Sequence, residues 1–163
     1  DTDERRRFAQ QSHEYLIEQV QHEAHGAGNI EINFNHPVKE LIWTGKPVQA
    51  TGFSTPVALD EASTYILKLN GHDRFSVRNR NYFTRTQVWQ HHTGFGGVTI
   101  KDSIAVYSFA LKPEEHQPSG TCNFSRIDNA RLESTNTSAV NVYGINYNVL
   151  RIMSGMGGLA YSN

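Results

Sequence analysis

The histidines are the residues of this chain whose chemistry could most readily support a metal site. The chain has eight of them, and His22 and His25 lie three residues apart in a glycine-containing stretch that favours a loop. His91 and His92 are adjacent, and adjacent side chains of a strand point to opposite faces, so these two cannot easily share an ion. Zinc sites need ligands that converge at a fixed spacing. We therefore predict no metal ligands, and place the histidines in loops or on the surface.

A nucleophile for covalent catalysis is also missing from the sequence patterns. Ser154 precedes Gly155, but Ile152 stands where the first glycine of a G-x-S-x-G elbow belongs. Cys122 lies in a predicted strand on the face shared by Phe124, which favours a buried, unreactive thiol. The glycine clusters at residues 94–97 and 155–158 lack the lysine of a phosphate-binding loop. We predict no catalytic residue, no cofactor site and no enzyme activity.

Cations and aromatic residues interleave over residues 74–85 (RFSVRNRNYFTR), a pattern that could stack on single-stranded nucleic acid. A strand with its arginines outside and Phe75 and Val77 inside explains the same pattern, and four arginines in a neutral domain are a weak signal. We expect no direct sequence-specific binding of nucleic acid.

Two segments match the glycosylation sequon, at Asn123 and at Asn136. The first lies in a predicted strand, where a glycan fits poorly. The second lies in a polar loop and is expected to be geometrically open.

Composition restricts the class of protein further. The chain has 163 residues, 15 basic and 16 acidic, so its formal net charge is -1 and it has no general attraction to nucleic acid or anionic membranes. Charged residues make up 19% and hydrophobic residues 37%, which argues against a coiled coil, a long helical bundle or a charged disordered segment. A single cysteine favours a reducing compartment. No apolar run reaches the roughly 18 residues needed to span a bilayer.

The elements that must position these residues are nearly all strands. One short helix is predicted at the start, capped by Thr2 or Asp3 and ending near Gln11. Strands are predicted at residues 15–20, 30–35, 38–43, 64–69, 103–111, 121–127 and 140–152, and an irregular strand between 73 and 89. Residues 44–58 and 112–120 are predicted loops, and residues 94–97 a corner.

About eight short strands with turn signals between them predict an all-β, antiparallel sandwich of the eight-stranded jelly-roll type. The alternation of the last strand changes phase near Gly144, which predicts a bulge or a close backbone approach. The first residues read as a cut through a longer polypeptide, and the apolar, glycine-rich C-terminal segment is expected to be docked.

Several blocks of the chain together resemble one protein family. The blocks are VKELIW at residues 38–43, YSFALKPEEHQPSGTCNFSRID at 107–128, residues 141–163, and two shorter stretches at 1–9 and 14–19. They resemble the major capsid protein of the nucleocytoplasmic large DNA viruses, the group of iridoviruses, phycodnaviruses and giant viruses. The resemblance runs along most of the chain.

The resemblance implies a structural role in an icosahedral virion. Family members carry two consecutive jelly rolls, so residues 1–163 would be the C-terminal one, with the N-terminal jelly roll absent from this chain. Three full-length copies would form a homotrimeric, pseudo-hexagonal capsomer that tiles the capsid beside neighbouring capsomers, with minor capsid proteins as possible partners. The shell would lie over an internal membrane and assemble in the host cytoplasm.

A carbohydrate- or ligand-binding β-sandwich module is the alternative, and exposed aromatic residues clustered on one concave face would favour it. For the capsid role, we expect contacts between subunits at residues 44–58 and 112–120 and at the C-terminal segment. Glu114 and Glu115 could then pair with Arg126, with Arg151 or with a neighbouring subunit.

Overall fold

The computed structural model describes residues 1–50, 53–94 and 102–162. Its helices are α1 (Thr2–Gln10) and α2 (Gln87–His91), with a π-helical turn at Tyr82–Thr86 and a 3-10 turn at Phe124–Arg126. The strands are β1 (His13–His25), β2 (Ile30–Ile32), β3 (Pro37–Ala50), β4 (Phe53–Val57), β5 (Thr64–Leu69), β6 (His72–Asp73), β7 (Arg78–Asn79), β8 (Ile104–Ser108), β9 (Cys122–Asn123), β10 (Ala130–Ser134), β11 (Val140–Met153) and β12 (Met156–Leu159).

The strands form two antiparallel sheets that the chain visits alternately. In the first sheet β1, β11, β3 and β8 lie side by side, while β12 pairs with β11 and both β4 and β9 pair with β3. In the second sheet β2, β10, β5 and β7 are neighbours, and β6 also pairs with β5. The first sheet has seven strands and the second five, and the two together match a jelly roll. The predicted all-β antiparallel jelly roll is confirmed, although the described residues form twelve strands and not the predicted eight, and β6, β7 and β9 have only two residues each.

The core between the sheets is built on stacked aromatic rings. Trp43 of β3 contacts Tyr65 of β5 and Phe83 of the π-helical turn, with ring centroids 5.2 and 5.1 Å apart. All three side chains are fully buried. These contacts link both sheets to the helical segment between them, so the aromatic residues fix the distance between the layers.

The predicted irregularity of the last strand is present in β11. A side chain at Gly144 would place its Cβ 2.6 Å from the ring of Phe34, so glycine is required there by close approach. The register between β11 and β3 shifts one residue later, between Ile145 and Asn146. Both features predicted for this strand, the close approach and the bulge, are therefore present.

Several local predictions were wrong. The segment predicted as irregular strand is helical over Tyr82–Thr86 and Gln87–His91, because the helical turn carries Phe83 into the core. The predicted strand at residues 121–127 has only two strand residues before its 3-10 turn. Of the predicted loop at 44–58, the described residues mostly belong to the hairpin of β3 and β4. The glycine corner at 95–97 lies outside the described residues.

The two ends of the described chain are organised differently. The first helix is capped by Asp1, whose side chain accepts a hydrogen bond from the amide of Asp3, and neither Thr2 nor Asp3 is the cap. At the other end β12 folds back onto β11, and the amide of Ala160 donates to the carbonyl of Val149 at 2.8 Å. The expected docking of the C-terminal segment is therefore confirmed, although its apolar side chains are exposed.

Candidate assembly surface

The first sheet buries two charged residues on the face opposite the core. Leu41 and Trp43 of β3 point into the core, so Glu40 points to the other side by strand alternation. Lys39 precedes it at the register shift, and each of the two charged residues is only 3% exposed. Buried charges of this kind require partners, and His92 supplies one for Glu40 while Glu18 of β1 supplies one for Lys39.

Residues 112–120, which we call the clasp loop, contact this outer face through His92. The ring lies just after α2, with Nε2 2.9 Å from Oε2 of Glu40 and Nδ1 3.2 Å from Oε1 of Glu114. The amide and hydroxyl of Thr93 donate to the same Glu114 carboxylate, at 3.0 and 2.8 Å. These donors, first the amide and then the hydroxyl, hold the pKa of Glu114 below its ordinary value.

A second contact ties the clasp loop to β1. The ammonium of Lys39 lies 2.7 Å from Oε1 of Glu18, and Nδ1 of His116 approaches the same oxygen at 3.4 Å. Lys39 also lies over the ring of Tyr147 at 5.5 Å. Glu18 therefore joins a buried cation on the sheet to an exposed histidine on the loop.

The predicted partners of the paired glutamates were wrong within the described chain. Glu114 contacts His92 and Thr93, and Glu115 lies 3.4 Å from Lys112. Arg151 instead pairs with Glu14 at 2.9 Å. Spatial proximity on the outer face, which sequence spacing does not reveal, decides these partners.

The arginines of residues 74–85 are used inside the domain. Arg85 makes a bidentate contact with Asp102 at 2.9 and 2.6 Å, while Arg80 hydrogen-bonds the carbonyl of Leu59 and approaches Asp102 at 3.7 Å. Arg78 and Arg74 lie over the rings of Tyr82 and Tyr107, at 4.8 and 6.0 Å. The pattern therefore corresponds to cation–carboxylate and cation–π contacts within the chain.

Among the described carboxyl groups, Asp102 has the most strongly shifted pKa. Hydrogen bonds from Arg85 and then Thr84 outweigh the opposing effect of burial and lower its pKa from 3.8 to about 2. Its side chain is 5% exposed, and its backbone has a positive φ of 56°. Asp102 thus holds the π-helical turn to the start of β8.

Two of the histidines considered as metal ligands, and the candidate thiol, lie on strands of the first sheet. His22 and His25 lie on β1 and not in a loop. Among the described residues, no group of three histidines, cysteines or carboxylates is arranged to hold a metal ion. Cys122 is half-buried, and burial raises the pKa of its thiol.

One of the two sequons has its expected setting, since Asn123 lies in β9 as predicted, and the other does not. Asn123 caps the 3-10 turn by accepting a hydrogen bond from the amide of Ser125. Asn136 was expected to be open but is 3% exposed, because its side chain accepts from the amide of Asp60 and donates to the carbonyl of Ser138. The prediction of an accessible acceptor at Asn136 was therefore wrong.

Several large apolar side chains are exposed, among them two groups near the proposed contacts. Trp89 of α2 and Leu111 beside the clasp loop are 81% and 76% exposed. Tyr15, Met156, Leu159 and Tyr161 are exposed near the C-terminal hairpin of β11 and β12. Trp89 stands on a different element from Tyr15 and Tyr161, so these aromatic residues give no support to a single concave sugar-binding face.

The outer-face residues Glu18 and Glu40 were not singled out from the sequence, and His92 was considered there only as a metal ligand. The available signal was the charged pair Lys39-Glu40 inside the otherwise apolar segment VKELIW, since charges are rarely buried without partners. Such a pair indicates that Lys39 and Glu40 have polar partners in the folded protein, but it does not show which residues these are.

The model of the family described as "Large eukaryotic DNA virus major capsid protein" matches residues 4–158. Major capsid proteins of Pyramimonas orientalis virus and of Paramecium bursaria Chlorella virus 1 are 50% and 40% identical over the whole chain. The chain covers 46% of the first relative and 52% of the second, about half of each.

A solved structure gives the same relationship in three dimensions. A chain of the quasi-atomic model of the PBCV-1 virus capsid superimposes with a TM-score of 0.81 at 38% identity. All of the present chain and 55% of the other are covered. Among the described residues no helix is long and apolar enough to cross a membrane.

Proposed function

This chain belongs to the major capsid protein family of large eukaryotic DNA viruses, and from that membership we propose that it is the C-terminal jelly roll of a longer capsid polypeptide. The match over residues 4–158, together with whole-chain similarity to relatives about twice as long, carries the proposal. The chain supplies a structural subunit of a virion capsid. Its relatives are capsid proteins, and this relationship supports a non-enzymatic role.

A sheet face near the C-terminal hairpin supports the proposal that the same polypeptide contains a second jelly roll. Tyr15, Leu150 and Leu159 lie side by side on β1, β11 and β12 and point to one face. Tyr15 and Leu159 are 44% and 45% exposed, so this apolar face is not fully covered within the chain. Sheets in stable domains bury such faces against another layer. The occupant that we propose is the other jelly roll of the same polypeptide.

Three full-length polypeptides then form a pseudo-hexagonal capsomer, which packs against neighbouring capsomers and minor capsid proteins. The formal net charge of -1 keeps long-range repulsion between many copies low. Assembly of the shell takes place in the host cytoplasm, beside an internal membrane.

Light scattering coupled to size-exclusion chromatography tests the proposed oligomer on the full-length protein, and electron microscopy tests its outline. A trimer with a pseudo-hexagonal outline is the expected result. A stable monomer that binds glycans would instead support the ligand-binding alternative.

The proposed domain contact has its own test in the same protein. Leu159→Arg places a charge on the apolar face, whereas Val77→Arg, at an exposed site 57% accessible, is the control. We expect Leu159→Arg to increase hydrogen exchange of β12 by at least tenfold and Val77→Arg to leave it unchanged. Equal exchange in both variants would contradict the assignment of this face to a second jelly roll.

A further inference from the structure

The two hydrogen bonds of His92 require one more proton than a neutral imidazole and two ionised carboxylates carry together. Its two ring nitrogens face carboxylate oxygens of Glu40 and Glu114, at 2.9 and 3.2 Å. An ionised carboxylate only accepts hydrogen bonds, and a neutral imidazole carries a single N–H. A neutral ring can therefore satisfy one of the two contacts but not both, and the triad needs one additional proton.

The additional proton belongs to the pair of His92 and Glu40. Glu114 also accepts two hydrogen bonds from Thr93, which stabilise its ionised form. Whether the imidazole is doubly protonated or Glu40 carries the proton, both contacts are then satisfied.

Burial makes this proton structurally important. The Glu40 side chain is 4% exposed, and among the described residues His92 is its only hydrogen-bond partner. Without the proton, the neutral ring can still donate its Nε2–H to buried Glu40, and its Nδ1 lone pair then faces the Glu114 carboxylate with no hydrogen between them. The clasp loop would then be held at this point by Thr93 and not by the sheet.

The other charged groups around the ring do not replace the proton. Lys39 of β3 is directed to Glu18 of β1, and in the loop Lys112 pairs with Glu115 while His116 faces Glu18. His91 of α2 contacts the carbonyl of Leu111 through Nδ1. Only the two carboxylates therefore contact the ring of His92 among the described charged side chains.

We propose that Glu40, His92 and Glu114 form a pH-dependent clasp, which holds residues 112–120 on the outer face of the first sheet at low pH and releases them as pH rises. Histidine is the residue type whose charge ordinarily changes between about pH 5 and 8, and the clasp is therefore tested within this range. The stabilising state is the protonated one, and therefore the contact is strongest at the acidic end of this range.

Hydrogen exchange measured by mass spectrometry tests the clasp in the full-length protein. Labelling times at pH 5.5 and pH 8 are scaled to remove the intrinsic pH dependence of exchange. Peptides containing Thr93, Leu111 and Lys112 report on the clasp, because their amides hydrogen-bond Glu114, Ser119 and the Ser119 hydroxyl. We expect scaled exchange at pH 8 to be faster by on the order of tenfold.

Two variants separate the proton from general packing. In His92→Gln the amide has donors on one atom only, so exchange should be fast at both pH values. In Glu40→Gln the amide can donate to a neutral ring that donates to Glu114, so protection should persist at pH 8. His72→Gln, at an exposed site in β6, is the control and should retain the wild-type response.

Two results would overturn the proposal. One is a wild-type loop whose scaled exchange does not change between pH 5.5 and 8, a measurement that needs no variant to fold. The other is a Glu40→Gln protein that loses protection at pH 8 as the wild type does. A role of Glu40 in packing alone would not convert a pH-dependent loop into a pH-independent one.

Discussion

Replacing Asp102 with asparagine removes a nearly buried charge without changing the size or the backbone requirement of the side chain. The position has a φ of 56°, and asparagine adopts positive φ values more readily than most residues. The variant therefore isolates the interaction of the carboxylate with Arg85, Arg80 and Thr84. Backbone strain does not contribute to the comparison.

The expected loss follows from the pKa of Asp102. Folding lowers this pKa from 3.8 to about 2, and each pKa unit corresponds to about 1.4 kcal/mol of free energy. The ionised carboxylate thus contributes up to about 2 kcal/mol to the free energy of unfolding at neutral pH. Arg85 is 62% exposed and partly screened by solvent, so this value is an upper one.

The sign of the pH dependence is fixed by the direction of this shift. A lowered pKa in the folded state means that the stabilisation is fully present above about pH 4. It is lost as pH falls towards about 2, where Asp102 becomes protonated in the folded protein too. The difference in stability between wild type and Asp102→Asn should therefore shrink over this interval.

Denaturant unfolding at several pH values, followed by the fluorescence of buried Trp43, measures this difference. Asp73→Asn, at an exposed position in β6, is the matched control and should change the free energy of unfolding by less than about 0.5 kcal/mol. A constant difference for Asp102→Asn from pH 7 to pH 2 would refute the electrostatic explanation. No difference at pH 7 would refute the contribution of the Asp102 contacts altogether.

Three further changes test other parts of the structure. Gly144→Ala should lower the free energy of unfolding by about 1–3 kcal/mol, because the new Cβ overlaps the Phe34 ring, whereas Gly26→Ala has open space and should cost little in a thermal unfolding assay. Asn136→Ala should cost about 1–3 kcal/mol in denaturant unfolding through its buried hydrogen-bond partners, and intact-mass measurement of the wild-type protein should show no glycan at this site. Alkylation of Cys122 at pH 8 should be slower than that of a free thiol and should reach the free rate in denaturant, since burial raises the pKa of the folded thiol; equal rates would contradict this.

The parts of the fold that were predictable from the sequence are those with strong local signals. Alternation predicted a strand at residues 30–35, of which Ile30–Ile32 forms β2, and the change of phase near Gly144 predicted the irregularity of β11. The helical segment Tyr82–His91 was not predictable in this way, because its pattern of arginines and aromatic residues also suits a strand. Its helical form depends on Phe83 packing against Trp43 and Tyr65, which are distant in sequence.

The polar contacts of the outer face were unpredictable for a related reason. Glu40 and His92 are 52 residues apart, and Glu18 and Lys39 are 21 apart. Neither separation along the sequence corresponds to the period of a helix or strand. Only the folded arrangement of the sheets therefore brings the partners together. The same limitation explains why Asn136 was expected to be open, since its partner Asp60 belongs to a loop 76 residues earlier.

The clasp loop has two sides with different chemistry, and this difference bears on the proposed assembly. Glu114 and His116 on its inner side contact groups on or beside the sheet, so they are already engaged within the chain. Leu111, directly before the loop, is 76% exposed. Contacts with a neighbouring subunit at this place are therefore expected from Leu111 and not from Glu114. A clasp that opens as pH rises would change the position of Leu111 at the edge of the loop. The protonation of His92 is thereby connected to the geometry of the proposed assembly surface.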